Sequence, residues 1–151
     1  MPKKKSDLQY YEGVGRRKQA VARVRLFIIS KNTPVTVKGN KINKGETMIN
    51  GKNVNEVFTS DADKKRFTQP FEITNSVDRF ATSILVEGGG PNGQLEAVIH
   101  GIARAMVVVD PEVNKPLLKQ YGLLTRDPRK RERRKVGTGG KARRQKQSPK
   151  R

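Results

Sequence analysis

Residues 79–109 read RFATSILVEGGGPNGQLEAVIHGIARAMVVV. The first part alternates. Phe80, Thr82, Ile84 and Val86 share one face, and Ala81, Ser83 and Leu85 share the other. A period of two predicts a central β-strand. The period then changes. Leu95, Val98, Ile99, Ile102, Ala103, Met106 and Val109 recur at i, i+3, i+4 and i+7, which predicts an amphipathic helix over 93–109 with its stripe against a sheet. Ala97, Gly101, Arg104 and Ala105 fall off that stripe. Between strand and helix lies Gly88-Gly89-Gly90-Pro91-Asn92-Gly93.

Upstream, Gln9 to Gly15 (QYYEGVG) predicts a short strand ending at its glycines. A tight cationic turn, Gly15-Arg16-Arg17-Lys18, follows. From Gln19 the pattern alternates again. Val21, Arg23 and Arg25 lie on one face, and Ala20, Ala22, Val24 and Leu26 on the other. Tyr10 to Ile29 therefore reads as a hairpin with one buried face and a second face carrying arginines. Cations at a glycine turn sit where a nucleic-acid backbone can come close. An ordinary hairpin with surface arginines is the plainer alternative.

Ser30 to Gly45 is polar and rich in Asn, Lys and Gly. It reads as an extension of the hairpin through a Lys-Gly-Asn-Lys turn, or as an irregular loop. Thr47 to Gly51 predicts a short strand closing at Asn50-Gly51, and Asn53 to Phe58 a single helical turn. Asp61 to Phe67 predicts a short helix with Ser60 as N-cap and acidic residues at its positive end. Pro70 is expected to stop it, leaving Phe71 to Thr74 as strand or link. Downstream, Asp110 with Pro111 predicts the start of a second helix, running to about Gln120 and ending at Gly122. Leu117, Leu118 and Tyr121 give it an apolar side, and Leu123 and Leu124 anchor the chain beyond it.

After Thr125 the composition shifts. Thirteen Lys and Arg face only Asp127 and Glu132, a net +11 in 26 residues. Val136 and Ala142 are the hydrophobic residues there. Such a segment cannot bury enough apolar surface to offset its ordering entropy, so alone it is expected to be disordered. Its charge suits a densely negative partner. Three regions follow: a basic arm at 1–8, one domain at 9–124, and an extended basic tail at 125–151.

The whole chain has 151 residues and a net charge of +19. That points to nucleic acid rather than to an anionic membrane surface. The chain has no Cys, which excludes a disulfide framework or thiolate metal site and fits a reducing compartment. No apolar run approaches a spanning helix. Met1 to Tyr11 lacks the apolar stretch of a secretory signal.

Gly88 to Gly93 matches G-x-G-x-x-G between a strand and a helix. A dinucleotide site would also need an acidic residue ending a second parallel strand about twenty positions on. Asp110 instead opens a helix. The element remains suited to phosphate, which in a basic chain means a nucleic-acid backbone touching Gly89 and Gly90. His100 is the single histidine. Glu96 and Arg104 lie one turn to either side, which favours a polar helical face or an RNA contact over acid–base catalysis. No residue set has metal-ligand spacing, and no cofactor is expected. The aromatics fit core positions rather than a base-stacking platform.

Four strings then belong together: YEGVGRRKQAVARVR (11–25), INGKNVNEVF (49–58), EGGGPNGQLEAVIHGIARAM (87–106) and LLKQYGLLTRDPRKRERR (117–134). In this order they resemble the ninth small-subunit ribosomal protein family, of bacterial or organellar type. The resemblance implies an α+β domain. Two helices would pack on one face of a mixed, roughly four-stranded sheet, with an unusual left-handed βαβ crossover. It implies a structural, non-enzymatic role, binding ribosomal RNA in the subunit head. It also implies a tail reaching the anticodon stem-loop of the peptidyl-site transfer RNA. In this chain Pro149 stands where the family has Ser, the tail carries no aromatic, and Ser30 to Glu46 is longer than the usual loop.

On this reading Arg16, Arg17, Lys18, Arg23, Arg25, Gly89, Gly90, His100 and Arg104 contact ribosomal RNA beside the domain. Arg126, Arg129, Lys130, Arg131, Arg133, Arg134 and Lys135 thread between RNA segments. Arg143, Arg144, Lys146, Lys150 and Arg151 reach transfer RNA across a Val136–Gly140 hinge. Neighbouring head proteins are further partners; a membrane and a small-molecule substrate are not expected. Cytoplasmic ribosomes are the expected location, organellar ones a possibility within the same family. A phosphate-ligand enzyme at the Gly88 loop and a free nucleic-acid chaperone are the other readings.

Overall fold

A computed structural model describes residues 3–5, 8–29, 34–37 and 39–137. The long alternating segments form the sheet. Strand β1 (Lys3–Lys5) pairs antiparallel with the start of β2 (Leu8–Arg17). β2 pairs with β3 (Ala20–Ile28) in register Arg17↔Ala20. A small separate hairpin follows, β4 (Val35–Val37) with β5 (Asn40–Ile42). Then come β6 (Thr47–Ile49), β7 (Lys52–Asn53), α1 (Val54–Val57) and α2 (Asp61–Ile73). The chain returns through β8 (Phe80–Glu87) and ends its regular structure in α3 (Pro91–Val109) and α4 (Pro111–Gln120).

The main sheet has the order β1-β2-β3-β8-β6-β7. Among the described residues only β6 and β8 pair in parallel, and they are joined through α1 and α2. The mixed α+β architecture is as expected. Its four central strands are the anticipated ones, and β1 and β7 add short edges. Lys3–Lys5, expected as an arm, is instead a strand, because the outer edge of β2 offers unpaired backbone groups to it.

One face of the sheet carries the main core. Ala22, Val24 and Leu26 of β3 and Ile84 and Val86 of β8 meet Leu95, Val98, Ile102 and Met106 of α3. Phe67 and Phe71 of α2 and Leu118 of α4 close it. A smaller cluster on the other face joins Tyr10, Phe27 and Ala81 to Val35 and Ile42 of the β4–β5 hairpin. The β4–β5 hairpin therefore covers the second face at one end, pairing with itself rather than extending the first hairpin. Along the rest of that face Arg23 is exposed.

Several local expectations are corrected. β2 does not end at its glycines. Gly13 and Gly15 lie mid-strand, where β2 crosses α3. A Cβ on Gly15 would stand 1.9 Å from the Ala97 carbonyl oxygen, and one on Gly13 2.4 Å from that of Gly101. The two backbones touch. Ala97, Gly101 and Ala105, placed off the helical stripe by hydropathy, are buried as the small ridge that makes this contact. The turn itself is Lys18-Gln19, two residues later than expected, with Lys18 at φ +50°.

Pro70 does not stop α2, which runs through it to Ile73. A proline there lacks a ladder N–H, but its ring is buried between Phe67 and Phe71. Those two rings lie 5.8 Å apart, one turn from each other, and hold the helix on the core. The Thr74 hydroxyl donates to the Pro70 carbonyl at 2.9 Å and closes the end. Phe71 to Ile73 is thus helical. α3 lies on the main face of the sheet, and α4 packs against α3 and α2. Its apolar side is narrower than predicted: Leu118 is buried, while Leu117 and Tyr121 are exposed.

Other signals held. Asn50 and Gly51 both take positive φ, +50° and +83°, the type I′ turn that Asn-Gly favours. The Asn50 side chain then exchanges two 2.9 Å bonds with the Val86 backbone, prolonging the β6–β8 ladder. Asp110 caps α4 by accepting from the Val113 N–H at 3.3 Å.

Candidate nucleic-acid interface

The turn of the β2–β3 hairpin, the glycine loop and the start of the tail meet at one corner of the domain. β8 brings Gly88 there, and Gly90 caps α3. Gly88 has φ +72°, and a Cβ on it would lie 2.7 Å from the Gln19 carbonyl oxygen. The loop is therefore glycine-rich first to fit over the hairpin turn. Gly90, by contrast, faces open space. A cleft of about 660 Å³ opens here, lined by Lys18, Gly89, Gly90 and Asn92 and by Lys130 and Arg131 of the tail. Three cations thus share a wall with the N-terminal end of a 19-residue helix, which is an electrostatic setting for phosphate.

The tail is rooted on the polar face of α3. Leu123 and Leu124 pack against the core beyond α4. Arg17, at the end of β2, then takes three protein contacts. It pairs with Glu96, it meets Asp127 at 3.0 Å, and its Nη1 donates to the Arg129 carbonyl at 2.7 Å. Its side chain is only 11 % exposed. Glu96 also faces Arg66 at 3.7 Å. Asp127 accepts from the Arg129 backbone N–H at 2.9 Å and from its guanidinium at 2.7 Å. These charge-assisted bonds hold the Asp127 carboxyl well below its ordinary range.

His100 and Arg104 continue the same face. The Arg16 backbone N–H donates to His100 Nδ1 at 3.4 Å. Half-burial lowers the His100 pKa from its ordinary 6.5; a hydrogen bond with the Leu124 backbone opposes this, and the charges of Arg104 and Arg126 add to it. Arg104 donates to the Val14 carbonyl at 2.6 Å. The expected helical face of Glu96, His100 and Arg104 is present, but its partners lie across on β2 and at the tail root.

The sequence-predicted residues thus fall into groups. Arg16, Lys18, Gly89, Gly90, Arg126, Arg129, Lys130, Arg131, Arg133, Arg134 and Lys135 are exposed around this corner and along residues 126–135, which have no helix or strand. Arg23 is exposed on the open sheet face. Arg25 and Arg104 bond within the domain, and Arg17 bonds both to α3 and to the tail root. Arg25 pairs with Glu12 at 3.2 Å and lies 5.0 Å over the Tyr10 ring. Arg143, Arg144, Lys146, Lys150 and Arg151 lie outside the described residues, as does Pro149. Sequence reasoning counted Asp127 with Glu132 as the two acids of a basic run and gave it no role. Its sequence signal is Asp-Pro-Arg, an acid two residues before an arginine whose backbone N–H it can cap.

An α+β domain that roots a basic chain segment beside its own cationic turn has the build of a polyanion-binding protein. The comparison with known families makes this specific. The family described as ribosomal protein S9/S16 matches residues 15–151, and the chain belongs to it. It is a structural protein of the small ribosomal subunit, an RNA-binding ribonucleoprotein component serving translation, and not an enzyme. Its partners are ribosomal RNA and the ribosome, and its family places it in cytoplasmic ribosomes. Among the described residues no helix is long and apolar enough to cross a membrane.

Proposed function

We propose that the domain binds ribosomal RNA of the subunit head through this corner, and that the tail continues to the peptidyl-site transfer RNA. The observation that carries the reading is the shared cleft, where Lys130 and Arg131 stand beside Lys18 and the Gly89-Gly90 backbone. One RNA backbone passing there meets cations from both domain and tail. Arg16 and Arg23 add contacts beside it, and Arg126 to Lys135 follow the RNA outwards. In the same reading the chain divides into 1–8, 9–124 and 125–151, neighbouring head proteins flank the domain, and the β6–β8 crossover takes the left-handed sense of the family. An experimental structure with a right-handed crossover would remove that last assignment.

Arg143, Arg144, Lys146, Lys150 and Arg151 make the transfer RNA contact. Small subunits reconstituted with a chain lacking residues 141–151 test it. The expected result is normal assembly with weakened peptidyl-site transfer RNA binding. Unchanged transfer RNA affinity refutes the tail's role and leaves the ribosomal RNA role standing.

A further inference from the structure

We propose that Arg17 is a positioning residue, a clamp that fixes where the basic tail leaves the domain, and that Asp127 is its counterpart. The geometry differs from that of a phosphate contact. A phosphate-binding arginine keeps its guanidinium fork towards solvent. Arg17 turns its fork inwards, and all three of its nitrogens are engaged: Nε with Glu96, Nη2 with Asp127 at 3.0 Å, and Nη1 with the Arg129 carbonyl at 2.7 Å. Two of those partners are in the tail and one is in α3. The side chain therefore bridges β2, α3 and the tail root.

Asp127 is shaped for the same task. It accepts from Arg17 and from both the backbone and the guanidinium of Arg129. The Asp127 carboxylate thus bonds across Pro128 to the Arg129 backbone N–H. An acid in a segment that otherwise suits polyanions repels a phosphate, so its bonds within the chain point to a different use. Here it pairs with Arg17 and holds Arg129, so that Lys130 and Arg131 follow beside Lys18 and the glycine loop. Beneath the clamp is a cavity of about 190 Å³ lined by Arg16, Arg66, His100, Leu123 and Arg126, among others. The tail spans this gap; before the clamp its root is held by the packing of Leu123 and Leu124 and by the hydrogen bond between His100 and the Leu124 backbone. The consequence for RNA rests on the proposed function; the clamp itself does not.

A planar fork with three partners cannot be replaced by a point charge. That separates the clamp from a phosphate contact. The test is hydrogen exchange of the full-length free chain, read over residues 125–131, for Arg17→Lys, Arg17→Gln, Asp127→Asn and the Arg17→Gln/Asp127→Asn double variant. Loss of charge-assisted bonds is expected to speed exchange there by about tenfold or more in each single variant. The double variant should add little to either single one. Exchange in β3 and β8 should not change, which controls for unfolding. Wild-type protection in Arg17→Lys, or in Asp127→Asn, overturns the clamp. A second readout is the salt dependence of binding to full-length small-subunit ribosomal RNA. A clamp predicts an unchanged slope in Arg17→Gln. A slope shallower by roughly 0.7 to 0.9 would make Arg17 a phosphate contact and overturn the proposal.

Discussion

Helix α3 meets β2 and the chain beyond it in two ways. Along Ala97, Gly101 and Ala105 it touches Gly13 and Gly15 backbone to backbone, with no side chain between them. Along Glu96, His100 and Arg104 it reaches β2 and the tail root through hydrogen bonds and charge. The first contact has no slack, because packed interiors yield little to an added methyl group. The second is half exposed, so each pair contributes modestly to stability. The contrast separates two tasks. The glycine seam decides whether the domain folds, and the polar face decides where the tail points.

The largest effects should come from the seam. Gly15→Ala puts a methyl carbon 1.9 Å from the Ala97 oxygen, so β2 and α3 must separate. A loss of about 3 kcal/mol or more is expected, read as a lowered urea midpoint. An unchanged midpoint would show that the seam is looser than described. Leu118→Ala, at the fully buried contact of α4, should cost about 2–5 kcal/mol. Leu117→Ala beside it should stay within about 0.5 kcal/mol.

On the polar face the expected signature is pH. The folded His100 pKa lies below its ordinary 6.5, so the unfolded chain binds the proton more readily. The stability this contributes is present above pH 6.5 and is lost as pH falls through the folded value. His100→Gln should flatten that part of a stability–pH curve. Asp127 is also lowered, by its bonds to Arg129. Its contribution is present above its ordinary 3.8 and is lost at more acid pH, so the two steps should be separate. A single coincident step would contradict this assignment.

A small effect of opposite sign is expected at the turn. Lys18 sits at φ +50°, which costs a non-glycine residue about 1 kcal/mol. Lys18→Gly should therefore leave stability unchanged or raise it by up to about 1 kcal/mol, while weakening RNA binding through loss of one cation. Weakened folding instead would assign Lys18 a structural role.

Much of this was legible in the sequence. Alternation at Ala20 to Leu26 and at Phe80 to Val86, and the helical period from Leu95, set out the central strands and α3. Asn50-Gly51 and Asp110-Pro111 announced their turn and cap, because those residues stabilise such backbones locally. The errors were tertiary. Hydropathy ranks Gly and Ala as weak core formers, so the seam looked like the wrong face of the helix. Its signal was spacing, with small residues at 97, 101 and 105 opposite Gly13 and Gly15. Pro70 misled because a local rule gave way to the burial of Phe67 and Phe71. Charge counting located the cationic corner. It could not distinguish Arg16 and Lys18, which are exposed, from Arg17, which is tied inwards, since that depends on Glu96 and Asp127 arriving from distant parts of the chain.

The central claim is that domain and tail root form one RNA-binding surface. The most direct measurement is the salt dependence of the full chain's affinity for small-subunit ribosomal RNA, with Lys130, Arg131, Arg133 and Arg134 all changed to Gln. The expected result is a log–log slope shallower by roughly 3, from up to four phosphates no longer neutralised, and an unchanged urea midpoint. An unchanged slope would contradict it and leave the domain to bind RNA without its tail root.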